Sequence, residues 1–180
     1  MSHEPLAPER YDHLTVDDHL DLRAVADTEA GVLYDLVDSN RQYLAEYLPW
    51  ATGNAPADSL DFIQRTRQHR IDGSEYGFGI YVDEVLVGHI SLMHITEGQQ
   101  PEIGYWVSGD SSGAGNTTKA AVRVAEFGLS TLGLESIVIK AAEGNIASNK
   151  IAHKLGFVFS GVEESDNGTI INVWRKNKES

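Results

Sequence analysis

The run from residue 102 to 157 constrains this chain more than any other part of it. It reads as strand, glycine loop, helix, strand, helix: Glu102-Ile-Gly-Tyr-Trp-Val107, Ser112-Gly-Ala-Gly-Asn-Thr-Thr118, an amphipathic stretch to Leu132, Ser136-Ile-Val-Ile-Lys140, then Asn145-Ile-Ala-Ser148 leading to Lys154-Leu-Gly-Phe157. A strand, a crossover helix and a second strand force at least one parallel pair into a sheet. A glycine loop that leaves a strand and opens a helix presents N–H groups with no intrahelical partner, at the positive end of the helix dipole. Such a loop is a ready seat for a diphosphate. Gly113 and Gly115 let the backbone approach closely and take φ > 0. Taken alone, a Gly-x-Gly before a helix is more often only a turn. No Gly-Lys-Ser/Thr follows, and Thr118 stands where a dinucleotide fingerprint has its third glycine, so neither familiar nucleotide loop is present.

Periodicity places the remaining elements. A strand starts at residue 20, and apolar residues at helical spacing run over 28–47 until Pro49 stops them. Asp58 or Ser59 is expected to cap a second helix that ends near Ile71, closed by Gly73. Strands over 76–82 and 85–95 flank an Asp83-Glu84 hairpin turn, and a third strand covers 101–107. A helix begins at Thr117 or Thr118 and ends at Gly133; a buried strand spans 137–141; a short helix spans 147–154. Strands over 157–162 and 169–175 join at Asp166-Asn-Gly168. The expected fold is a single α/β (α+β) domain: a mixed, mostly antiparallel sheet of about seven strands flanked by about four helices. It occupies 20–176, between an irregular segment 1–19 and a polar tail 177–180.

A chain of 180 residues, 41% hydrophobic, can bury a proper core in one domain. No apolar stretch approaches the roughly 18 residues of a membrane span. Met1-Ser-His-Glu-Pro lacks the pattern of a secretory signal. With no cysteine there is no disulfide, thiolate metal site or cysteine nucleophile, which fits a cytoplasmic protein. The formal net charge of −13 argues against a nucleic-acid partner. It favours a cationic acceptor, or serves only to keep the protein soluble. His89 and His94, five apart on one strand, are expected on opposite faces; His69 and His153 have no partners at helical spacing, so no metal site is expected.

With these motifs in place, the chain resembles the GNAT superfamily of acyl-CoA-dependent N-acyltransferases, and within it the RimJ/RimL-type N-terminal acetyltransferases of ribosomal proteins. The resemblance rests on Ile103 to Trp106, the loop from Ser112 to Thr117 and the segment from Asn145 to Phe157. Leu22-Arg23 and the stretch from Asn40 to Trp50 agree with it, so it covers roughly residues 20 to 176. It implies acetyl-CoA as co-substrate, no metal, and attack by an amine on the acetyl thioester in a ternary complex.

The resemblance also implies roles. Ser112, Gly113, Ala114, Gly115, Asn116, Thr117 and Thr118 would bind the coenzyme's pyrophosphate through backbone N–H groups. Ser112 stands where the family has Gln or Arg, so coenzyme binding is weaker or Lys119 supplies the charge. Tyr105, Trp106 and Val107 would line the pantetheine and thioester, or their side chains are core. Asn145 would bond to pantetheine or cap its helix. Ser148 matches the serine of RimL-type enzymes near the sulfur and is the candidate general acid, because the tyrosine used by other members is replaced by Ala152. Glu102 is the candidate base, acting through water, or else a solvated carboxylate; RimL-like enzymes also have a glutamate after the Gly-Phe helix, ahead of the last hairpin, for which Glu163 and Glu164 are the nearby candidates. Arg41, Tyr43, Tyr47 and Trp50 would line the acceptor groove. The expected acceptor is a protein or peptide N-terminus. A small amine, such as an amino acid, polyamine or antibiotic, is the alternative within enzymes, and a non-catalytic acyl-CoA-binding module is the alternative outside them. The assembly is expected to be a monomer or homodimer.

Overall fold

A computed structural model describes residues 11–112 and 115–179. In chain order the elements are β1 (His13–Thr15), β2 (Leu20–Arg23), α1 (Ala30–Ser39), α2 (Arg41–Ala45), α3 (Pro56–Asp72), β3 (Tyr76–Val82), β4 (Val85–Met93), β5 (Glu102–Val107), α4 (Asn116–Glu126), β6 (Ser136–Ala142), α5 (Ile146–Lys154), β7 (Val158–Glu164) and β8 (Ile170–Asn177). The strands form one eight-stranded sheet in the order β1-β2-β3-β4-β5-β6-β8-β7. Neighbours are antiparallel except β5 and β6, the pair joined by the α4 crossover.

Several boundaries differ from the sequence reading, each for a local reason. Residues 13–15 are strand rather than irregular, because the Leu14 side chain is buried while His13 and Thr15 face out, a pattern too short to see as periodicity. The 28–47 helix is two helices. Asn40 breaks it with φ −118°, returning its Nδ2–H to the Leu36 carbonyl at 2.9 Å. The α3 helix starts at Pro56, which needs no N–H there, and Asp58 reaches back to accept the Ala55 N–H at 2.7 Å. Strand β4 ends at Met93 because His94 takes φ 62°. The last strand runs to Asn177, and the Lys178 N–H donates to the Glu135 carbonyl at 2.8 Å, so the polar tail is partly docked.

Helices cover both faces of the sheet. On one, α4 and α5 contribute Ala121, Val124 and Ala152 to a cluster with Leu22, Phe78, Ile90, Ile103, Ile137 and Ile139. On the other, Leu33 of α1 and Ile63 of α3 pack with Tyr81 and Leu86, and Val37, Leu44 and Ala51 pack beside Trp106. Successive strand residues point to opposite faces. Strand β5 therefore sends Tyr105 and Val107 toward the α4–α5 layer and Trp106 toward the α1–α3 layer.

The feature that positions the site is where the sheet parts. Strand β5 pairs with β4 along its length, from Met93–Glu102 to Gly88–Val107, and β6 pairs with β8 from Ser136–Asn177 to Ala142–Ile171. Between β5 and β6 the register holds only at Glu102–Val138. Beyond that point the two halves diverge and leave a V. Gly88 keeps β5 on the β4 side of it: a Cβ there would stand 2.2 Å from the Trp106 carbonyl oxygen and 2.9 Å from the Val107 Cα. Both are backbone atoms of β5, so a side chain at Gly88 would push the strand toward β6 and narrow the V. Gly88→Ala is expected to lose about 1–3 kcal/mol of stability through overpacking and to raise the KM for the ligand held in the V. Urea denaturation and steady-state kinetics check this; unchanged values in both would show that β5 is free to shift.

Candidate active site

The loop at the mouth of the V closes into α4 through Gly115, which caps the helix with φ 80°, a conformation that costs glycine little. The first hydrogen bond back to the cap comes from the Lys119 N–H to the Gly115 carbonyl, at 3.1 Å. The N–H groups of Asn116, Thr117 and Thr118 precede it and have no partner within the helix. The Ser112 hydroxyl turns back to the Gly109 carbonyl at 2.8 Å. Lys119 Nζ lies 3.2 Å from Asp17 in an exposed ion pair. Gly113 and Ala114 lie outside the described residues.

On the α4–α5 side of the V stand two hydroxyls. Ser148 Oγ and Tyr105 Oη are 2.7 Å apart, joining α5 to β5 across the gap. Asn145 resolves as the cap of α5: its Oδ1 accepts the Ser148 N–H at 3.2 Å. The next residue, Asn149, had no signal in the sequence, yet it fixes the helix. Its Nδ2 donates to the carbonyls of Ala142 and Asn145, and its Oδ1 accepts from Asn172 Nδ2 and Trp174 Nε1. All four hydrogen-bonding positions of the amide are filled, so α5, β6 and β8 hold Ser148 in place.

On the opposite face, at the vertex of the V, the Glu102 carboxylate is nearly buried, with 16% of its side chain exposed. Burial raises its pKa; Lys140 and His94 partly offset that rise, and Glu163 adds to it. Lys140 Nζ lies 3.1 Å from Glu163 and 4.0 Å from Glu102. His94 Nε2 is also 4.0 Å from Glu102, because the turn at His94 carries it out of the strand. Glu163 therefore belongs to this group through Lys140. The sequence reading did not single out Lys140, and its place between two carboxylates is a finding of the structure.

The segment 40–50 is tied to both edges of the V. The Gly109 N–H donates to Asn40 Oδ1 at 2.9 Å, and the Tyr43 ring would meet a Cβ at Gly109 at 3.8 Å. The Tyr47 hydroxyl donates to the Gly144 carbonyl at 3.1 Å, just before α5. Trp50 packs edge-on against Trp106 with ring centroids 6.1 Å apart. Tyr43, Tyr47 and Trp50 each stay about half exposed. Arg41 does not join this rim: its guanidinium is occupied by Asp38 and by the carbonyls of Ala51 and Thr52, bracing the turn after α2.

A separate recess of about 350 Å³ lies between α3 and the sheet, lined by Arg70, Thr66, Phe62 and His89. Burial, with the Arg70 guanidinium nearby, pulls the His89 imidazole down to about 3. Among the described residues no group of three or more His, Cys, Asp or Glu could hold a metal ion, and no helix is long and apolar enough to cross a membrane. His89 is thus a neutral core residue, and its depressed pKa gives a sign. Its contribution to stability is complete above about 6.5 and is lost as pH falls toward 3. Between pH 7 and pH 4.5 the loss is on the order of 2–3 kcal/mol. His89→Gln should flatten the pH dependence of urea stability by that amount; an unchanged slope would mean that His89 accepts a proton in the folded protein.

The V presents helix N–H groups without an intrahelical partner, a chemistry that suits a diphosphate, and strand edges released from the sheet, which suit amides. Residues 19–158 match the family described as acetyltransferase (GNAT) domain. The chain is 28% identical over 150 residues to the ribosomal-protein-serine acetyltransferase of Escherichia coli (strain K12), covering 82% of this chain and 84% of that protein. The microcin C7 self-immunity acetyltransferase MccE, solved with acetyl-CoA and AMP, superposes with a TM-score of 0.84 at 25% identity, covering 96% of this chain and 98% of that one. The ribosomal L7/L12 α-N-protein acetyltransferase RimL, solved with coenzyme A, shares the fold with a TM-score of 0.85 at 22% identity, covering 92% and 97%. The chain belongs to the GNAT acetyltransferase family and is an acetyl-CoA-dependent acyltransferase.

Proposed function

We propose that this enzyme acetylates a protein N-terminal α-amine, of the ribosomal-protein kind, by direct attack in a ternary complex. The observation that carries the reading is the two-faced V, with a hydroxyl pair on one side of the β5–β6 gap and a nearly buried carboxylate on the other. The half-exposed rim of Tyr43, Tyr47 and Trp50 suits an acceptor longer than a simple amine. The net charge of −13 suits a cationic one. The E. coli relative, whose name specifies a ribosomal protein, supports the same acceptor class.

The N–H groups of Asn116, Thr117 and Thr118 would hold the diphosphate, with Ser112, Gly113, Ala114 and Gly115 completing the loop. The free edge of β5 at Tyr105, Trp106 and Val107 would pair with the pantetheine amides. When bound, acetyl-CoA supplies an activated acetyl thioester. Glu102 takes the proton of the incoming ammonium, through water, and its raised pKa brings it nearer that of the amine. Ser148 faces the departing sulfur from the other side. Tyr43, Tyr47 and Trp50 hold the acceptor chain, and holding both reactants at the vertex replaces a bimolecular encounter.

Acetyl-CoA offered with N-terminal peptides, N-blocked peptides carrying an internal lysine, and small amines tests the acceptor class by mass shift. Peptide α-amines should react at least about tenfold faster in kcat/KM than the others. Faster acetylation of small amines would overturn the peptide reading and support the small-amine alternative.

Glu102→Gln keeps the shape but cannot accept a proton. It should lower kcat/KM by about a hundredfold or more at low pH, and recover partly as pH rises and free amine becomes abundant. A uniform loss at every pH would mark Glu102 as a positioning residue and direct attention to Glu163.

A further inference from the structure

We infer that the Tyr105 phenol supplies, through Ser148, the proton that reaches the leaving sulfur. The inference rests on the reading that Ser148 faces that sulfur. Its ground is the 2.7 Å contact between Tyr105 Oη and Ser148 Oγ and a mismatch of acidities. A thiol has a pKa near 8.5 and a phenol near 10, whereas an alkyl hydroxyl is a far weaker acid than either. Ser148 alone can hydrogen-bond to a thiolate but cannot give its proton away. With a phenol behind it, the proton that is finally surrendered comes from a group close to the thiol in acidity.

The step balances. The amine nitrogen bonds to the acetyl carbon, the carbon–sulfur bond breaks, and the sulfur leaves with the electron pair. Ser148 Oγ–H passes its proton to the sulfur while Tyr105 Oη–H passes its own to Ser148 Oγ. Ser148 ends unchanged and Tyr105 ends as phenolate, which regains a proton from solvent water when the products leave.

The surroundings suit this. Tyr105 sits opposite Ile90 of β4 and packs on the apolar cluster that includes α4 residues Ala121 and Val124. From α5 it meets Ser148, and no charged side chain contributes to its ionisation. Burial raises the phenol's pKa, which keeps the proton in place at neutral pH but widens the gap to the thiol; the Ser148 hydrogen bond lowers it and narrows that gap in part. Asn149 and the Asn145 cap keep the Ser148 end from turning away.

The test compares Tyr105→Phe, Ser148→Ala and the double variant, together with enzyme carrying 3,5-difluorotyrosine at position 105. All are assayed with acetyl-CoA and a peptide acceptor that the native enzyme turns over. Tyr105→Phe and Ser148→Ala should each lower kcat by about tenfold to a hundredfold with little change in the acetyl-CoA KM. The double variant should be no slower than the slower single one, and fluorination should move the alkaline limb of kcat to lower pH. A normal Tyr105→Phe beside a slow Ser148→Ala overturns this inference and leaves the Ser148 reading standing. A normal Ser148→Ala overturns both. Multiplicative losses in the double variant, or an alkaline limb that fluorination does not move, reduce Tyr105 to a packing role.

Discussion

One parallel register pair, Glu102 with Val138, holds the two halves of the sheet together at the point where they begin to part. Each half is a complete antiparallel ladder on its own outer side, so neither needs the other beyond that pair. Backbone polar groups released from a sheet must find partners or stay in water. Here they are left available along an opening that α4 caps with unpaired N–H groups. The close approach of β5 to Gly88 is what makes the divergence stable rather than accidental, because any side chain at that position would collide with the β5 backbone.

The opening separates two chemistries that would interfere if they shared a face. Tyr105 and Ser148 lie in an apolar layer where their hydroxyls remain neutral donors. Glu102 lies on the other face, where burial raises its pKa while Lys140 and His94 limit the rise. Alternation along a single strand accomplishes this: Glu102 and Tyr105 are three residues apart on β5 and therefore point to opposite sides. The proposed roles divide the same way, with proton removal on one side of the gap and proton delivery on the other.

The segment 40–50 is tied to the edges of the V at two places, Asn40 to Gly109 and Tyr47 to Gly144. Neither contact is strong alone, since each is a single hydrogen bond within reach of water. Together they fix where the aromatic rim stands relative to the V. Arg41 serves the same end from behind by bracing the turn after α2.

Much of this was legible in the chain itself. The strand–loop–helix–strand run of residues 102–157 required a parallel pair and a glycine-opened helix, and both are present. The motifs carried the family and drew Glu102, Tyr105 and Ser148 into one candidate site, because short-range spacing decides secondary structure and the side-chain type at each position. Tertiary structure alone decided the rest. Which carbonyls hold Arg41 and which cation sits beside Glu102 depend on partners up to 61 residues away, as in Glu102 with Glu163 through Lys140. The Tyr105–Ser148 contact spans 43 residues. Periodicity reports which face a residue occupies, but distance across a gap between two strands is set by how the whole sheet twists and parts.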